Sequence, residues 1–205
     1  GDGTLGWLEG LRVAAAVGKD VSVAAMLDDG CLLMWGQNVR QSRLPGGIAV
    51  DIFHTDTAFA AVLRDGSVVT WGHRDYGGSS RGRGAVREQL DGRRPRVTDI
   101  VSTNSAFAAL RENGSVVTWG NDDDGNNSDG VRDQLAGGVP YIVATGAAFA
   151  AVKMDRAVVT WGNPALGGRV GPNRSAALQT GVLKIVGGQQ AVCFAAVVRG
   201  RFHPQ

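Results

Sequence analysis

Cysteine, lysine and long apolar runs are scarce in this chain of 205 residues, and the shortages exclude several classes of protein. Two cysteines, Cys31 and Cys193, are too few for the disulfide framework of a small secreted domain. We interpret both as small buried apolar residues and leave open whether they pair. No apolar run approaches the roughly 18 to 20 residues that a membrane-spanning helix requires. We therefore expect a soluble or peripheral protein.

The start of the sequence says little about the compartment. Its first residue is Gly1 rather than Met. A signal peptide would have a charged region followed by an apolar stretch, and the first residues of this sequence have neither. We interpret the sequence as a segment processed from a longer precursor. An organelle is among the compartments that this interpretation leaves open.

Positive charge is carried almost entirely by arginine. Only Lys19, Lys153 and Lys184 are lysines among the 21 basic residues, and the formal net charge is +2. Arginine makes bidentate and stacked contacts with carboxylates and phosphates, and it is the common cation of interfaces. Glycine, with 31 residues against six prolines, favours tight turns between many short strands.

A short pattern recurs along the chain and organises it. It reads AFAAVLRDGSVVTWG at residues 58–72, AFAALRENGSVVTWG at 106–120 and AFAAVKMDRAVVTWG at 148–162. A more divergent copy occupies residues 22–36, and a truncated copy occupies residues 193–201. Spacings of 36, 48 and 42 residues separate the markers Trp35, Trp71, Trp119 and Trp161. A period of about 40 to 50 residues is typical of propellers and solenoids.

Each copy predicts a β-hairpin. The first strand alternates one large ring with alanine, and the second strand is rich in β-branched residues. Between the strands, Asp29-Gly30, Asp65-Gly66 and Asn113-Gly114 predict two-residue turns of type I′. Asp155-Arg156 puts a side chain where glycine is preferred, and we expect there either a cost of about 1 kcal/mol or a changed turn with a wider loop. A further strand is predicted before each hairpin, and a helical turn or an outer strand after it.

The large residues of the pattern are the predicted core of the repeat. Each ring has small alanines on both sides, and we expect the ring to lie on the packed face of its strand, where the alanines leave room for it. A tryptophan at every strand end favours packing between units over a ring of ligand-stacking indoles. These structural positions are Phe59, Phe107, Phe149, Phe194, Trp35, Trp71, Trp119 and Trp161.

The small-residue strand, the Asp-Gly turn and the VVTWG strand together resemble the repeat of the regulator of chromosome condensation family. This resemblance covers nearly the whole chain and implies a β-propeller. Members commonly carry a His just before the first strand, whereas this chain has Ala, Thr or Ser there, and its repeats are shorter. We therefore predict a divergent short-repeat branch, with an all-β fold that is a small closed β-propeller of about five blades.

One propeller domain is predicted for the whole chain, 1–205. Its hairpins lie near 22–36, 58–72, 106–120, 148–162 and 193–201. The last copy lacks a second strand, and residues 2–7, DGTLGW, resemble the missing strand with one residue deleted. Pairing of Gly3 to Trp7 beside Phe194 to Val198 would close the ring and remove two sheet edges. An open array or a fragment of a larger ring is the alternative.

Residues that would converge on a catalytic or metal site are missing from the sequence. His54, His73 and His203 lie in different repeats, and neither a nucleophile elbow nor a phosphate loop occurs. The oxygen-rich stretch 121–129 fails the calcium-loop spacing, and we interpret it as a solvated turn while leaving cation binding open. We predict a protein that is not an enzyme, with no catalytic residue, no cofactor and no metal.

A cluster of arginines predicts the surface that binds a partner. Six arginines fall within sixteen residues of one insertion, against only Glu88 and Asp91. Such a cluster suits an acidic protein or phosphates, but the aromatic residues of a single-strand nucleic-acid surface are missing. We predict docking of a protein, not of nucleic acid, at Arg81, Arg83, Arg87, Arg93, Arg94 and Arg96, with a solvated loop as the alternative.

The function predicted from these features is a non-enzymatic interaction module or an accessory subunit of a multiprotein assembly. Loops on a rigid scaffold would contact the partner. The family resemblance implies two alternatives, which are guanine-nucleotide exchange on a small GTPase, as the namesake performs, and inhibition of an enzyme, as a secreted propeller of the family does with β-lactamases. Sugar binding by the repeated aromatic residues is a further alternative.

Overall fold

The computed structural model describes residues 12–19, 22–36, 47–79, 84–93, 95–169, 178–179, 181–188, 191 and 193–198. Its strands are β1 (Val13–Lys19), β2 (Ser22–Leu27), β3 (Leu32–Gly36), β4 (Ala49–His54), β5 (Ala58–Leu63), β6 (Val68–Gly72), β7 (Val97–Ser102), β8 (Ala106–Arg111), β9 (Val116–Gly120), β10 (Tyr141–Ala144), β11 (Ala148–Val152), β12 (Val158–Gly162), β13 (Val182–Val186) and β14 (Ala195–Val198). A short helix, α1, spans Gly84–Gln89. Within these ranges, no helix has the length and apolar character needed to cross a bilayer.

Strands that follow one another in sequence pair antiparallel and form small sheets, which we call blades. Blade 1 is β1–β2–β3, blade 2 is β4–β5–β6, blade 3 is β7–β8–β9, blade 4 is β10–β11–β12, and blade 5 is β13–β14. Blades 1 to 4 each join one repeat hairpin to the strand that precedes it, and blade 5 joins β13 to the first strand of the truncated copy. The predicted all-β fold is confirmed.

Each blade packs one face of its central strand on the opposite face of the next blade, and we call this contact a seam. In the seam between blades 2 and 3, Ala58 and Ala60 belong to the same apolar cluster as Phe107 and Trp119. Methyl groups let the two backbones approach closely, and the rings fill the remaining space. The other seams repeat this arrangement with their own residues.

The repeated rings stack in pairs within the seams. Phe59, Phe107 and Phe149 are between 0% and 2% exposed. Each lies opposite the tryptophan of its own hairpin, and the ring centroids are 5.5 Å apart for Phe59 and Trp71, 5.1 Å for Phe107 and Trp119, and 5.3 Å for Phe149 and Trp161. Phe194 is half-buried and packs on blade 4. The alternation of ring and alanine therefore places every ring on the side facing the preceding blade.

Trp35 corrects the predicted core. Its side chain is 47% exposed, whereas Trp71, Trp119 and Trp161 are 8%, 3% and 3% exposed. The face that carries the ring in each blade is covered by the blade before it, and no described blade precedes blade 1. The repeat position is the same, but the neighbour that buries it is missing from the described residues.

A left-handed glycine six residues after each buried tryptophan links consecutive blades. Gly77, in the loop of blade 2, accepts a hydrogen bond of 3.1 Å from Trp119 Nε1 of blade 3. Gly125 accepts the equivalent bond of 3.0 Å from Trp161 Nε1. A Cβ on Gly77 would lie 2.7 Å from the Phe107 ring, and its φ is 96°, so both space and conformation require glycine.

The hairpin turns correct the predicted type I′ geometry. Leu63 donates to Ser67 O at 2.8 Å, and its carbonyl accepts from Gly66 N at 2.8 Å, which encloses a loop of three residues rather than two. Gly66 has a φ of 83°, whereas Asp65 is not among the residues with positive φ. Asp65 Oδ1 instead accepts the Ser67 N–H at 2.9 Å, a local bond that favours this turn.

The fourth hairpin keeps the same loop although arginine replaces glycine. Lys153 donates to Ala157 O at 2.8 Å, and Arg156 N donates to Lys153 O at 2.9 Å. Arg156 has a φ of 67° and is the non-glycine residue with positive φ in the described part of the chain. The expected wider loop is therefore wrong, and the arginine backbone is held in a conformation that disfavours a side chain.

Closure of the ring stays a prediction. The segment Gly3 to Trp7 lies outside the described residues, as do residues 199–205. Its predicted partner is described: β14 pairs on one side with β13, from Val182 opposite Val198 to Val186 opposite Ala195. All four residues of β14 are exposed.

Truncation of Phe107 tests the seams. Phe107→Ala is expected to lower the free energy of unfolding by about 3 to 5 kcal/mol, because a buried ring is lost and a cavity remains. The matched control is Val197→Ala at a site that is 56% exposed, where a change within about 0.5 kcal/mol is expected. Urea unfolding followed by circular dichroism measures both, and equal losses would contradict the assigned role of the ring.

The strain at Arg156 gives a second prediction. Arg156→Gly is expected to raise the free energy of unfolding by about 1 kcal/mol, because glycine has no Cβ to crowd the left-handed conformation. Arg156→Ala is the control, since it removes the long side chain but keeps Cβ. Chemical denaturation of the two variants decides the matter: a glycine variant no more stable than the alanine variant would disprove strain at this site.

Candidate interaction surface

The blades have two ends that differ in their loops. The turn face carries the hairpin turns, at 28–30, 64–66, 112–114 and 154–156. The loop face carries the connections that join the outer strand before each hairpin to the hairpin itself, at 55–57, 103–105 and 145–147. It also carries the loops after the Trp-Gly pairs, at 73–78, 121–127 and 163–167.

Buried threonines that sequence reasoning missed hold the loop face together. Thr55, Thr103 and Thr145 are 0% to 1% exposed. Each hydroxyl donates to a carbonyl of the loop after tryptophan, at 3.1 Å to Tyr76, 3.0 Å to Asp124 and 2.9 Å to Leu166. The signal was present, because a threonine stands four residues before each of Phe59, Phe107 and Phe149. These bonds make the loop face a self-supporting structure.

The acidic stretch 121–129 uses several of its oxygens in hydrogen bonds within its own turn and one in a bond from Ser105 of the neighbouring loop. Asn121 Oδ1 accepts from Asp123 N at 2.9 Å, and Asp122 Oδ1 accepts from Asn126 Nδ2 at 2.6 Å. Asp124 accepts from the Ser105 hydroxyl. In the described ranges, no group of three or more His, Cys, Asp and Glu side chains is placed to hold a metal. The bonding is that of a closed turn.

Histidine and cysteine do not converge on one site among the described residues. His54 Nδ1 donates to Thr55 O at 3.0 Å, and His73 packs edge-on against Tyr76 with centroids 5.0 Å apart. His203 lies outside the described residues. Neither cysteine forms a disulfide. Cys31 is half-buried, and the interpretation of both cysteines as buried is wrong for Cys193, which is exposed beside the exposed strand β14.

The arginine-rich insertion is described in part. Arg93 is 90% exposed, with Nε 3.2 Å from Asp91 Oδ2. Arg96 lays its methylene carbons over Gly66, and its backbone N–H donates to Glu112 Oε2 at 3.3 Å. Arg87 belongs to α1, while Arg81, Arg83 and Arg94 lie outside the described residues. Arg93 thus faces solvent, and Arg96 covers the neighbouring turn.

The structure brings the two variable insertions together at a groove on the rim of blade 3. This rim groove has a volume of about 340 Å³ and runs along β9. One wall is α1, from the arginine-rich insertion, through Val86 and Gln89. The other wall comes from the insertion after β9 and includes Asp129 and Arg132. A pattern read one repeat at a time does not reveal this juxtaposition.

Two carboxylates occupy equivalent positions in β4 of blade 2 and β7 of blade 3, each beside a β-bulge. Asp51 Oδ1 accepts from Ile52 N and Asp99 Oδ1 from Ile100 N, both at 2.8 Å. The surrounding protein removes part of the water from Asp99 although the side chain keeps solvent contact, and this desolvation raises its pKa above the ordinary value. The hydrogen bond from Ile100 N opposes this rise in pKa, and repulsion by Asp51 adds to it.

A pH titration of stability tests this effect. Because the pKa of Asp99 is higher in the folded state than in the unfolded state, its contribution to stability is present at low pH and is lost as the pH rises through the folded pKa. Asp99→Asn, which keeps the Oδ1 acceptor, is expected to raise Tm at pH 7 and to leave it unchanged well below the ordinary pKa of 3.8.

Asp65 supplies a control of opposite sign. Hydrogen bonds from the Ser67 side chain and backbone lower the pKa of Asp65, so its stabilisation is present at neutral pH and disappears on acidification. Asp65→Asn is therefore expected to lower Tm at pH 7. Parallel shifts for the two variants would contradict the assignment.

Comparison with solved structures identifies the architecture. Human WBSCR16 is 14% identical, with a TM-score of 0.61 over 96% of this chain and 54% of that chain. The ectodomain of the Physcomitrella patens receptor kinase CR4 is 18% identical, with a TM-score of 0.55 over 88% of this chain and 48% of its own. Prp20p of Saccharomyces cerevisiae is 16% identical, with a TM-score of 0.55 over 80% and 47%.

The fold is a β-propeller. At these identities the likeness shows the fold alone, and the chain spans about half the length of the three proteins it resembles. No protein-family model matches the sequence, and no curated protein matches it either. The predicted short-repeat branch of the chromosome condensation family therefore stays a prediction, while the propeller is established.

Proposed function

We propose that this propeller is a protein-interaction module whose partner contacts the turn-face rim of blades 2 and 3. The observation that carries the proposal is the meeting of the two variable insertions at the rim groove. The buried rings and threonines recur from blade to blade, whereas the insertions differ in length and sequence and add only a few buried residues, such as Leu90 and Leu135, to the seams. Exposed loops on a rigid scaffold are the usual place for binding residues.

The chemistry of the rim points to a protein partner. Arg93 is nearly fully exposed, and α1 carries the preceding part of the arginine-rich insertion. Arginine is enriched at protein interfaces because its guanidinium forms paired bonds to carboxylates. The buried indoles of Trp71, Trp119 and Trp161 offer no face to a sugar, which removes support from sugar binding.

The structural neighbours support the general role only. The structure of Prp20p was described with its binding to Gsp1p and histones, and yeast RCC1 (Prp20) has been solved bound to Kap60. These partners belong to Prp20, and a shared fold does not transfer them. We therefore propose protein binding, within a larger assembly, and do not extend nucleotide exchange or enzyme inhibition to this chain.

Charge reversal in the arginine-rich insertion tests the proposal. Changing Arg83, Arg87, Arg93 and Arg94 to Glu is expected to reduce recovery of the partner in affinity capture with cross-linking mass spectrometry, with Tm within about 3 °C of the parent. Association of the parent should weaken as salt rises, since the Debye length is about 8 Å at 0.15 M.

The control for this experiment lies on the opposite face. Arg74→Glu reverses an exposed arginine of the loop face and is expected to leave recovery unchanged. Equal recovery with the four-residue variant and the parent would remove the insertion from the interface. The loop 121–129 would then be the next candidate for the partner interface.

A further inference from the structure

The outer edge of β9 is open where the equivalent edge in blade 2 is covered. In blade 2, Val68 N donates to Leu90 O at 2.8 Å, and Ser67 forms a bridge with Asp91. Leu90 and Asp91 directly follow α1. In the next repeat, the segment equivalent to α1 and Leu90 is a 3₁₀ helix, Asp129–Leu135. Within the described ranges, no backbone carbonyl accepts from Val116 N, the equivalent of Val68. The rim groove occupies this gap.

A partly buried arginine lines the groove without an acidic partner. Arg111 ends β8, at the position held by Leu63 in blade 2 and by Lys153 one residue past β11 in blade 4. Arg111 Nε donates to Ser115 Oγ at 2.8 Å. No described carboxylate forms an ion pair with Arg111, whereas the Lys153 ammonium donates to the Gln134 and Gly137 carbonyls. Burial lowers the pKa of the Arg111 guanidinium, since water is removed and no anion compensates.

The local network fixes the orientation of this guanidinium. Ser115 Oγ, which accepts from Arg111, itself donates to Asn113 Oδ1 at 2.6 Å. Asn113 Oδ1 also accepts from Ser115 N at 3.0 Å, so the chain of bonds is anchored in the hairpin turn. An arginine held through Nε presents the rest of its planar fork in a defined direction, which suits the geometry of a carboxylate.

The remaining lining sets the size and charge of a ligand. Arg132 adds a second guanidinium, Asp129 is the carboxylate of the lining, and Val86 and Leu135 are apolar. One carboxylate neutralises the net charge of two guanidiniums and Asp129, and the apolar Val86 and Leu135 suit the methylene groups of a side chain, which inorganic phosphate lacks. A volume of about 340 Å³ is at the lower end of the range for ligand sites and is large enough for an acidic side chain.

We propose that the rim groove binds the carboxylate of a glutamate or aspartate side chain of the partner protein, with Arg111 as its main cation and Arg132 as the second. The inference rests on the proposed interaction function and gives it a ligand chemistry. Binding would pair the guanidinium fork of Arg111 with the carboxylate and compensate a charge that the fold leaves partly desolvated.

A peptide titration of the whole chain tests the proposal. The probe is an acetylated, amidated tetraglutamate peptide, followed by isothermal calorimetry or by shifts in a two-dimensional NMR spectrum. Arg111→Met is expected to weaken its binding about tenfold, and Arg111→Lys less, because charge is kept but the fork is lost. Asp129→Asn is expected to strengthen binding about threefold, which a purely structural role for Arg111 would not produce.

Matched controls separate this site from general attraction to basic residues. Lys153→Met removes the cation at the equivalent repeat position, and Arg74→Met removes an exposed arginine of the opposite, loop face; both are expected to change binding less than twofold. Tetraglutamine should not bind. Inorganic phosphate should compete only weakly.

Several results would overturn the carboxylate site. They are equal tetraglutamate binding by the parent and Arg111→Met, equal binding of tetraglutamine, no tetraglutamate binding at all, or phosphate binding in the groove more tightly than tetraglutamate. A partner that is still recovered in the capture experiment while tetraglutamate fails would leave the interaction function standing and reject the groove alone. Loss of both would reject the interaction role itself.

Discussion

The contact between a left-handed glycine and the paired rings of the next blade is the constraint on which the propeller depends. Gly77 and Gly125 each offer a carbonyl to an indole N–H of the following blade and a surface without Cβ to a phenylalanine. The hydrogen bond and the apolar contact involve the same glycine, so the position of one backbone segment determines both contacts of the seam. A buried indole N–H without an acceptor would cost about 1 to 3 kcal/mol.

The same contact explains why loops of different length fit between identical blades. After Gly77 or Gly125 the chain returns to the seam only at a few apolar residues such as Leu90 and Leu135, and the intervals between tryptophans vary from 36 to 48 residues. Threonine bonds at the loop face fix only the first few residues after each Trp-Gly pair. The scaffold therefore constrains one end of the propeller closely and leaves the rim to vary.

Sequence reasoning succeeded where one repeat contains all the information. The alternation around Phe107 and Phe149 specifies which side of the strand is buried, and a hairpin brings each ring opposite its tryptophan. It failed at Trp35, since burial there depends on a neighbouring blade. The turns were assigned from the Asp-Gly pair alone, and the side-chain bond from Asp65 to Ser67 selects a different loop.

The candidate site was predictable only in part for a related reason. The arginine-rich insertion is visible in the sequence, but the rim groove joins α1 to Arg111 and Arg132 of the following repeat. Nothing in a single copy indicates that the edge of β9 is left open while that of β6 is covered. Such sites form between neighbouring repeats and depend on how one repeat differs from the next. Aligning the copies emphasises what they share and hides these differences.

Directional seams also give the row of blades a head and a tail. Each blade presents rings backwards and alanines forwards, so only nearest neighbours are coupled and the energy of the array is close to a sum over its seams. In an open row, loss of one inner seam would leave two shorter stacks with unlike ends, whereas in the predicted closed ring it would leave one row of blades. Fraying of an open row would begin at blade 5, where the residues of β14 are exposed, and ring closure would remove that starting point.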